Sequence, residues 1–453
     1  MSNARGNWSN RWTFMLATAG SAIGLGNIWK LPYMIGVNGG SAFVLIFIAS
    51  IVFLAIPLMM TEIMLGRRGQ KNPLDAMKVL AKEAGVSTLW SWIGGMGMLA
   101  GILILSFYSV VGGWVLSYVM SAVQGVFTNI SAEQAASNFD QMLAQPLTLL
   151  MWHSIFLLMT MVVVARGVNE GLEKANNILI PLLFAILLVL LGYSMSVGDM
   201  SAAFTFMFSP DFSIVTSATI LSAMGHAFFT LSLGMGAVMV YGSYLGKNES
   251  IGQATLFIAI LDTALGLLTG LAIYALVFAN QLEPDAGPGL IFQTLPIALG
   301  SMPAGNVFAT LFFILVSFAA WTSSISLVEP AVAWVVENSN ISRKMASVIL
   351  GLIIWLIGIT VLLSFNEWQH VKIAFGLGIF DSLDKLTSTV MLPLGGLLMA
   401  IFAGYLMKKT HVAEELRLKG WIFNFWKIAN TVIAPVAVAM VFLNLLGVFE
   451  NIF

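Results

Sequence analysis

The chain has 453 residues, of which 59% are hydrophobic and only 9% are charged; 20 basic and 21 acidic residues give a net charge of −1, and there is no cysteine. Because a soluble domain carries about 25% charged residues, this chain cannot cover a water-facing surface, so a soluble enzyme or a nucleic-acid-binding protein is excluded. The lack of cysteine also excludes disulfides, iron–sulfur clusters and zinc–thiolate sites. The remaining class is a protein that crosses the lipid bilayer several times.

Long runs of apolar residues divide the chain into predicted membrane spans. The runs hold about 20 or more residues without the ten-residue alternation of a membrane barrel, which predicts helices. The segment 281–303 is also apolar, but it is short and flanked by prolines, so we predict a helical loop outside the membrane. The prediction is an all-α polytopic membrane protein with a single transmembrane domain, residues 1–453. In chain order, the eleven predicted spans cover residues 11–36, 41–66, 89–123, 146–165, 171–196, 213–245, 249–280, 304–336, 341–364, 376–407 and 423–449.

The positions of the basic residues predict the orientation of the chain. Cytoplasmic loops of membrane proteins carry an excess of lysine and arginine. Here the basic residues precede span one or follow spans two, four, six, eight and ten, and only Lys30, Lys372 and Lys385 fall on the other side. We therefore predict a cytoplasmic N-terminus and an external C-terminus, in agreement with an odd number of spans.

Spans one and six each carry two glycines within three positions, Gly24-Leu25-Gly26 in the first and Gly234-Met235-Gly236 in the sixth. Such a pair costs a helix about 2 kcal/mol, and unwound backbone in a membrane is tolerated only where protein or a cavity satisfies it. For either span alone, close helix packing through small residues is an equal alternative. Breaks at corresponding places in two halves are typical of a transporter with inverted repeats and a midplane site. This predicts repeat one at 11–196, repeat two at 213–407 and an extra helix at 423–449.

Three segments resemble the neurotransmitter:sodium symporter family: Gly20 to Tyr33 (GSAIGLGNIWKLPY), Phe228 to Gly236 (FFTLSLGMG) and Thr322-Ser323-Ser324. The resemblance runs over nearly the whole chain, and eleven spans match the short bacterial members. It implies the LeuT-type fold, with five-plus-five inverted repeats and broken helices one and six, in the cell membrane of a bacterium. Gly171 and Pro181 match a Gly-X9-Pro pattern by which that subgroup is thought to unwind span five on the inside. An ordinary helix start followed by a packed proline is the alternative for this pair.

The resemblance implies a site for a zwitterion at the two breaks. Helix N-termini there attract an anion and helix C-termini attract a cation, so one amino acid can satisfy both. The substrate carboxylate would meet the N–H groups of Leu25 and Gly26 and the hydroxyl of Tyr108, and the ammonium would meet carbonyls of the first half-helices. The implied substrate residues are Ala22, Gly24, Leu25, Gly26, Ile104, Tyr108, Phe229, Thr230, Ser232, Met235, Ser323 and Leu327.

Two of these residues predict the substrate class. Relatives that carry monoamines have aspartate at the position of Gly24, so a substrate that meets glycine there has to bring its own carboxylate. The implied pocket is mostly apolar and offers no charge to an acidic or basic side chain, and the flexible thioether of Met235 suits ligands of several sizes. We therefore expect import of hydrophobic L-amino acids, aliphatic and aromatic. Another small zwitterion, such as a compatible solute or a GABA-like amino acid, is the alternative, and plain helix packing is the alternative role for the apolar pocket residues.

The resemblance also implies two sodium ions as the coupling ions. Carbonyl, hydroxyl and carboxylate oxygens at helix breaks suit a hard cation. Asp262 supports the first site independently, because an acid in the middle of a span is costly and by default functional, and its charge predicts transport without chloride. Glu62 is a second such acid and is expected to brace one of the breaks, whereas the serine and threonine of the second site could equally bond to their own helix. The first ion is assigned to Ala22, Asn27, Thr230 and Asp262, and the second to Gly20, Ile23, Ala319, Thr322 and Ser323.

By the same resemblance, residues on either side of the site are predicted to act as gates. Lys30 and Asp384 would close the outer side. His226, where relatives carry glutamine, is either a pH-sensitive bridge between them or a packed neutral histidine. Arg5 and Glu337 would pair on the inner side, with an ordinary positive-inside role as the alternative for the arginine. The gating residues are Arg5, Trp8, Lys30, Ser243, Tyr244, Glu337 and Asp384.

Other functional classes lack the residues they need. An intramembrane enzyme requires a nucleophile with a base or a metal constellation, and the four histidines are scattered without a His-x-x-x-His or Glu-x-x-His motif. A channel requires repeated rings of carbonyls or charges, which the sequence does not contain. The prediction is a transporter and not an enzyme, with sodium as cofactor, a small hydrophobic L-amino acid and the lipid bilayer as partners, and no requirement for nucleic acid or chloride.

Overall fold

A computed structural model describes residues 8–284, 289–374 and 376–445, and in these ranges the chain forms helices joined by short connections. Side chains cap many of the helix starts; Ser250 and Ser342, for example, accept the backbone N–H groups of Gln253 and Met345. The helices in chain order are α1 Arg11–Ala22, α2 26–37, α3 Ser41–Gly69, α4 Pro73–Ala84, α5 Thr88–Val123, α6 Ala132–Leu143, α7 Pro146–Ala165, α8 Val168–Val197, α9 Met200–Phe208, α10 Ser217–Thr230, α11 Ala237–Ser243, α12 Ile251–Ala279, α13 Leu290–Gly300, α14 Gly305–Asn338, α15 Arg343–Leu363, α16 Ile379–Leu406, α17 Lys409–Leu416 and α18 Gly420–Leu443.

Nine helices within the described ranges are long and apolar enough to cross a membrane: α3, α5, α7, α8, α12, α14, α15, α16 and α18. They correspond to the predicted spans two to five and seven to eleven, which confirms an all-α polytopic architecture. The predicted spans one and six are each divided between two shorter helices, α1 with α2 and α10 with α11. The predicted loop at 281–303 contains α13, which is too short to span. The exact number of eleven spans therefore stays a prediction.

The two divided helices meet at their breaks in the interior of the protein. The hydroxyl of Ser232, inside the second break, donates to the carbonyl of Ser21 near the end of α1 at 2.8 Å. A Cβ placed on Gly26 would come within 3.1 Å of a ring carbon of Phe229. Both breaks are buried, so their backbone groups take hydrogen-bond partners from the surrounding helices.

The helices around the breaks approach one another very closely. A Cβ on Gly101 in α5 would lie 2.4 Å from the Leu327 carbonyl of α14, and one on Gly66 in α3 would lie 1.9 Å from the Met239 carbonyl of α11. Only glycine permits backbone contacts as close as these. The first contact joins two helices beside the breaks, and the second holds the half-helix α11 directly against α3.

Helix α8 is continuous over the Gly-X9-Pro segment. Its first turn, Val168–Glu173, is a wide π-helical turn, and the α-helix Lys174–Val197 then runs through Pro181. A Cβ on Gly171 would lie 2.1 Å from the Val163 carbonyl of α7. In this structure the glycine therefore serves close packing, and span five is not unwound.

Candidate functional site

At the break in span one, side chains accept the backbone hydrogen bonds that the interrupted helix leaves unmade. Helix α1 ends at Ala22, and the next residue turns the chain away with ψ of 101°. Beyond it, the side-chain oxygen of Asn27 accepts from the N–H of Gly24 at 3.1 Å. The hydroxyl of Tyr108 in α5 accepts from the N–H of Leu25 at 3.0 Å. Of the two N–H groups that the resemblance assigns to a substrate carboxylate, that of Leu25 thus contacts the predicted tyrosine.

The break in span six depends on glycine and on one buried acid. Gly234 and Gly236 have φ of 81° and 76°, in the left-handed region that favours glycine, and Ser232 between the half-helices also has positive φ. A carboxylate oxygen of Glu62 in α3 accepts from the N–H of Gly234 at 3.0 Å. Because Glu62 is only 2% exposed, its carboxyl group belongs to the interior, and it braces the break of span six.

Three of the four residues assigned to the first sodium ion form one buried polar cluster, whereas no hydrogen bond joins Ala22 to it among the described residues. Asn27 donates to the Thr230 hydroxyl at 3.0 Å and to one oxygen of Asp262 at 2.9 Å. Thr230 donates to the second oxygen of Asp262 at 3.0 Å. Asp262 is completely buried, and among the described residues the side chains bonded to its carboxylate are the neutral Asn27 and Thr230. A buried carboxylate surrounded only by neutral donors is suited to a bound cation, so the donor set fits sodium.

The residues assigned to the second sodium ion lie where α14 passes the end of α1. The hydroxyl of Ser323 donates to the Ile23 carbonyl at 3.0 Å and to the Gly20 carbonyl at 3.3 Å. The hydroxyl of Thr322 donates to the Ala319 carbonyl of its own helix at 3.1 Å. Ser323 of α14 therefore contacts the two α1 residues of the predicted second sodium site, Gly20 and Ile23. Thr322 instead bonds to its own helix, which was the alternative role for this hydroxyl.

A cavity of about 440 Å³ lies on the Lys30 side of the breaks. Among the predicted substrate residues, Leu25, Gly26, Tyr108 and Phe229 line it. The other predicted pocket side chains (Ile104, Ser232, Met235, Ser323 and Leu327) are buried beside the breaks and do not line this cavity. The rest of its wall is largely aromatic, with Trp29, Phe107, Trp114, Phe139, Phe292, Phe365 and Phe380.

The predicted outer pair is formed, although loosely. The ammonium of Lys30 lies 3.8 Å from a carboxylate oxygen of Asp384 and 4.6 Å from the centre of the Phe229 ring. Lysine offers a point charge without the bidentate fork of arginine, so the pair is held by charge more than by geometry. Lys30, Asp384 and Phe229 all line the cavity of about 440 Å³, as does Asp381.

His226 does not bridge the outer pair. Its ring packs against Phe47 and Phe229, with centroid distances of 5.4 and 6.4 Å. Neither ring nitrogen has a hydrogen-bond partner among the described residues, and the side chain is 3% exposed. It lines a second cavity of about 240 Å³, which also touches Lys30 and Phe229. The arrangement favours the packed, neutral histidine over the pH-sensitive bridge.

The inner side of the breaks is closed by aromatic packing. The indole N–H of Trp8 donates to the Tyr241 carbonyl at 3.0 Å, and its ring packs edge-on against Tyr241 and Tyr244. The hydroxyl of Ser243 donates to its own helix at the Val240 carbonyl. Arg5 lies outside the described residues, and Glu337 accepts from the backbone and side-chain nitrogens of Asn72 at 3.0 and 2.8 Å. The predicted pairing of Arg5 with Glu337 therefore stays a prediction.

Glu329 is a site residue that the sequence analysis missed. It is completely buried in α14 and forms an ion pair with Arg343 of α15. Its other oxygen accepts from the Tyr244 hydroxyl at 2.9 Å, and Arg343 also donates to the Val164 carbonyl at 2.8 Å. The signal was available, because Glu329 lies within a predicted span just as Asp262 does.

Comparisons with known proteins agree with this architecture. Residues 5–142 and 136–452 match the sequence profile described as "Sodium:neurotransmitter symporter family". An uncharacterized sodium-dependent transporter of Bacillus subtilis (strain 168) is 38% identical over 447 residues, which cover 98% of each chain. An uncharacterized sodium-dependent transporter of Haemophilus influenzae is 33% identical over 454 residues, 97% of this chain and 98% of that protein. The crystal structure of MhsT in complex with L-phenylalanine is 40% identical and covers 97% of this chain and 99% of that chain, with a TM-score of 0.90. The predicted LeuT-type fold is thereby confirmed.

Proposed function

The chain belongs to the sodium:neurotransmitter symporter family, and we propose that it imports hydrophobic L-amino acids together with sodium, without chloride, by alternating access. One observation carries the proposal: the buried carboxylate of Asp262 meets Asn27 and Thr230 at the two helix breaks, surrounded by neutral groups. A carboxylate in such surroundings attracts a cation strongly. The relatives described as sodium-dependent transporters support sodium as that cation.

The amino acid head group is proposed to bind between the half-helices. Its carboxylate would accept from the N–H groups that begin α2 and from Tyr108, which already contacts Leu25. At Gly24 a Cβ would lie 2.4 Å from the Ser323 hydroxyl and 2.8 Å from the Tyr108 hydroxyl. An aspartate side chain has no room at this position. The lack of a protein carboxylate here supports a substrate that carries its own carboxylate group.

The preference for hydrophobic side chains rests on the composition of the site. The cavity above the breaks has an aromatic wall, and the pocket residues beside the breaks are apolar or carry hydroxyls that are already bonded. An acidic or basic substrate side chain would be desolvated there without a partner. The complex of MhsT with L-phenylalanine supports this substrate class.

Two sodium ions are proposed to couple transport to the sodium gradient. The first would lie at Asp262 and share the substrate carboxylate as a ligand, so that ion and amino acid raise each other's affinity equally. The second would lie between the carbonyls of Gly20 and Ile23 and the hydroxyl of Ser323. Asp262 supplies the negative charge that an added anion would otherwise provide, so chloride is not required.

The membrane arrangement is part of the proposal. The N-terminus would lie in the cytoplasm of a bacterium and the C-terminus outside, with repeats at 11–196 and 213–407. In this orientation the aromatic contact of Trp8 closes the cytoplasmic side, and the large cavity faces outward.

Binding to the purified full chain tests the function. Radiolabelled L-leucine, L-phenylalanine and L-tryptophan are measured in sodium chloride, sodium gluconate and potassium chloride. We expect binding in both sodium salts, none in potassium, and mutual competition among the three amino acids. Binding without sodium would refute the symport mechanism, and loss of binding in gluconate would refute chloride independence. Competition by betaine or GABA in place of the hydrophobic amino acids would favour the alternative zwitterion.

A further inference from the structure

A buried hydroxyl near the end of α1 forms a hydrogen bond across to α14. The hydroxyl of Ser21 donates to the hydroxyl of Ser326 at 2.7 Å, and both side chains are at most 2% exposed. Serine and threonine in a membrane helix more often bond back to a carbonyl of their own helix, as Thr18 of α1 does with Phe14 at 2.8 Å. Ser21 therefore joins two helices, although a carbonyl of its own helix is the ordinary partner.

The acceptor, Ser326, lies one turn beyond the α14 residues of the proposed second sodium site. Its hydroxyl donates to the Ser323 carbonyl at 2.8 Å. Because a hydroxyl has a single proton, Ser326 donates to Ser323 and accepts from Ser21. Ser323 in turn donates to the carbonyls of Gly20 and Ile23, the two α1 residues of the proposed ion site. The bond from Ser21 thus restrains α1 against the turn of α14 that would bind the ion.

The backbone of Ser21 connects the same residue to the break in span six. Its carbonyl accepts from the hydroxyl of Ser232 at 2.8 Å. Ser232 is a proposed substrate residue and has φ of 54°, which is uncommon for a residue other than glycine. The bond to Ser21 therefore supports the turn at which the amino acid is proposed to bind. Ser232, Ser21, Ser326 and Ser323 form a continuous line of hydrogen bonds, which we call the serine chain.

The two ends of the serine chain lie at two different proposed binding sites. An amino acid bound at the break in span six would order Ser232, and an ion bound at the second site would order Ser323. Because the two residues are joined by hydrogen bonds through buried groups, ordering one of them lowers the cost of ordering the other. Binding at either site then favours binding at the other.

We propose that Ser21 and Ser326 are positioning residues that couple the second sodium site to the amino acid site. The inference rests on the proposed function. The first sodium ion would share the substrate carboxylate as a ligand, so its coupling to the amino acid is direct. The second ion is not assigned that carboxylate, and the serine chain supplies the connection in its place. By reciprocity, each ligand raises the affinity for the other by the same factor.

The test measures the affinity of the purified full chain for radiolabelled L-phenylalanine at two sodium concentrations. One is saturating, and the other is about tenfold below the concentration for half-maximal binding. In Ser21→Ala and in Ser326→Ala, the affinity at saturating sodium should fall about threefold, which corresponds to the mean of about 0.6 kcal/mol for a hydrogen bond between membrane helices. The affinity at low sodium should stay within twofold of the unmodified chain, because few ions are bound there to be coupled.

Ser324→Ala is the matched control. Ser324 is as buried as Ser326, donates to the Trp321 carbonyl of its own helix and contacts the hydroxyl of Thr160 in α7, outside the serine chain. Its affinity for L-phenylalanine should stay within twofold of the unmodified chain at both sodium concentrations. The double variant of Ser21→Ala with Ser326→Ala should lose no more than either single variant, since both remove the same bond.

Three results would overturn the proposal. The first is unchanged affinity at saturating sodium, and the second is an equal loss at both sodium concentrations, which is the mark of a structural role. The third is a set of additive losses in the double variant, which would show that the two hydroxyls do not act through one bond. If one single variant fails to fold, the other tests the same bond. If the affinity of the unmodified chain does not depend on sodium, the proposed function fails and not this inference alone.

Discussion

At the scale of single residues, Asp262 determines what the interior can hold. Both of its carboxylate oxygens are bonded to neutral side chains, one to Asn27 and one to Thr230, and the residue is completely buried. Removing a charge from water is costly unless an opposite charge accompanies it. The ionised carboxylate would be stabilised by a cation between the two broken helices, which supports the proposed first sodium site.

Replacing Asp262 with asparagine keeps the shape of the side chain and removes its charge. We expect sodium-driven uptake in chloride-free gluconate to fall at least tenfold, because about 1.4 kcal/mol of ion binding suffices for that loss. Added chloride should restore part of the uptake by replacing the missing charge. The control is Asp140→Asn, which makes the same change at an exposed position of α6. Full activity of Asp262→Asn without chloride would contradict the assignment.

Gly24→Ala tests whether the space at the first break is required. The added Cβ would lie 2.4 Å from the Ser323 hydroxyl and 2.8 Å from the Tyr108 hydroxyl, so one of them has to move. Amino acid binding should weaken by about tenfold or more, because displacing a hydrogen-bonding group costs about 1–3 kcal/mol. Gly192→Ala is the matched control, since a Cβ there meets nothing within 4 Å. Equal binding by the two variants in a saturation assay would show that the space is not needed.

Some of these residues can be predicted from the sequence for a physical reason, and others cannot. Asp262 and Glu62 can be recognised because an acid within an apolar run is costly wherever the run folds. The contact of Asn176 in α8 with Gly20 in α1 cannot be recognised, because the sequence does not tell which of two adjacent asparagines, Asn176 or Asn177, faces α1. At Gly24 the sequence suggests an electrostatic reason for glycine, and only the packing reveals the steric one.

At the scale of elements, a buried ion pair joins α14 to α15 beside the second half of span six. Glu329 pairs with Arg343 and accepts from the Tyr244 hydroxyl, so α11 is tied to the same group. Loss of one partner leaves an unpaired charge in the interior, which typically costs about 3–5 kcal/mol, whereas replacement of both can be nearly neutral.

Paired substitutions test the role of this contact. Glu329→Leu and Arg343→Met should each lower the melting temperature of the purified chain markedly, and the double variant should recover much of the loss. Glu170→Gln breaks the exposed pair with Lys174 as a control and should change the melting temperature little. Additive losses in the Glu329–Arg343 double variant would show that the pair is not coupled.

The helices themselves are predictable to different degrees. Apolar runs predict the long spans well, because a helix that crosses the bilayer must be apolar over about 20 residues. The breaks follow from paired glycines at corresponding places. The short helices α4, α6, α9 and α17 were not predicted, since no membrane constrains their composition. Whether Gly171 starts a helix or unwinds one depends on its contact with Val163, which the sequence does not contain.

At the scale of the whole molecule, the two sides of the breaks differ. One side is closed by Trp8 against Tyr241 and Tyr244, and the other opens into the cavity that Lys30 and Asp384 line. The proposed alternating access requires a second state, in which the Trp8 side is open and the Lys30 side is closed. Which side faces the cytoplasm is predicted only from the positions of the basic residues, and this prediction can be checked directly.

Because the chain has no cysteine, single cysteines can report its orientation. Ser137→Cys lies on exposed α6 and is predicted to face outward, and Asn340→Cys lies in the exposed connection between α14 and α15 and is predicted to face the cytoplasm. A membrane-impermeant maleimide should label only the first in intact cells and both after permeabilisation. The reverse pattern would invert the proposed orientation.

Phe229 and Lys30 belong to both cavities, so the half-buried ring and the lysine stem are the partition between them. Side-chain rotations are fast compared with helix movements. The separation of the two spaces therefore depends on side chains and not on the position of a helix. With the proposed substrate bound beside the breaks, the space open to its side chain would depend on the torsions of Phe229 and Lys30 as well as on the helices.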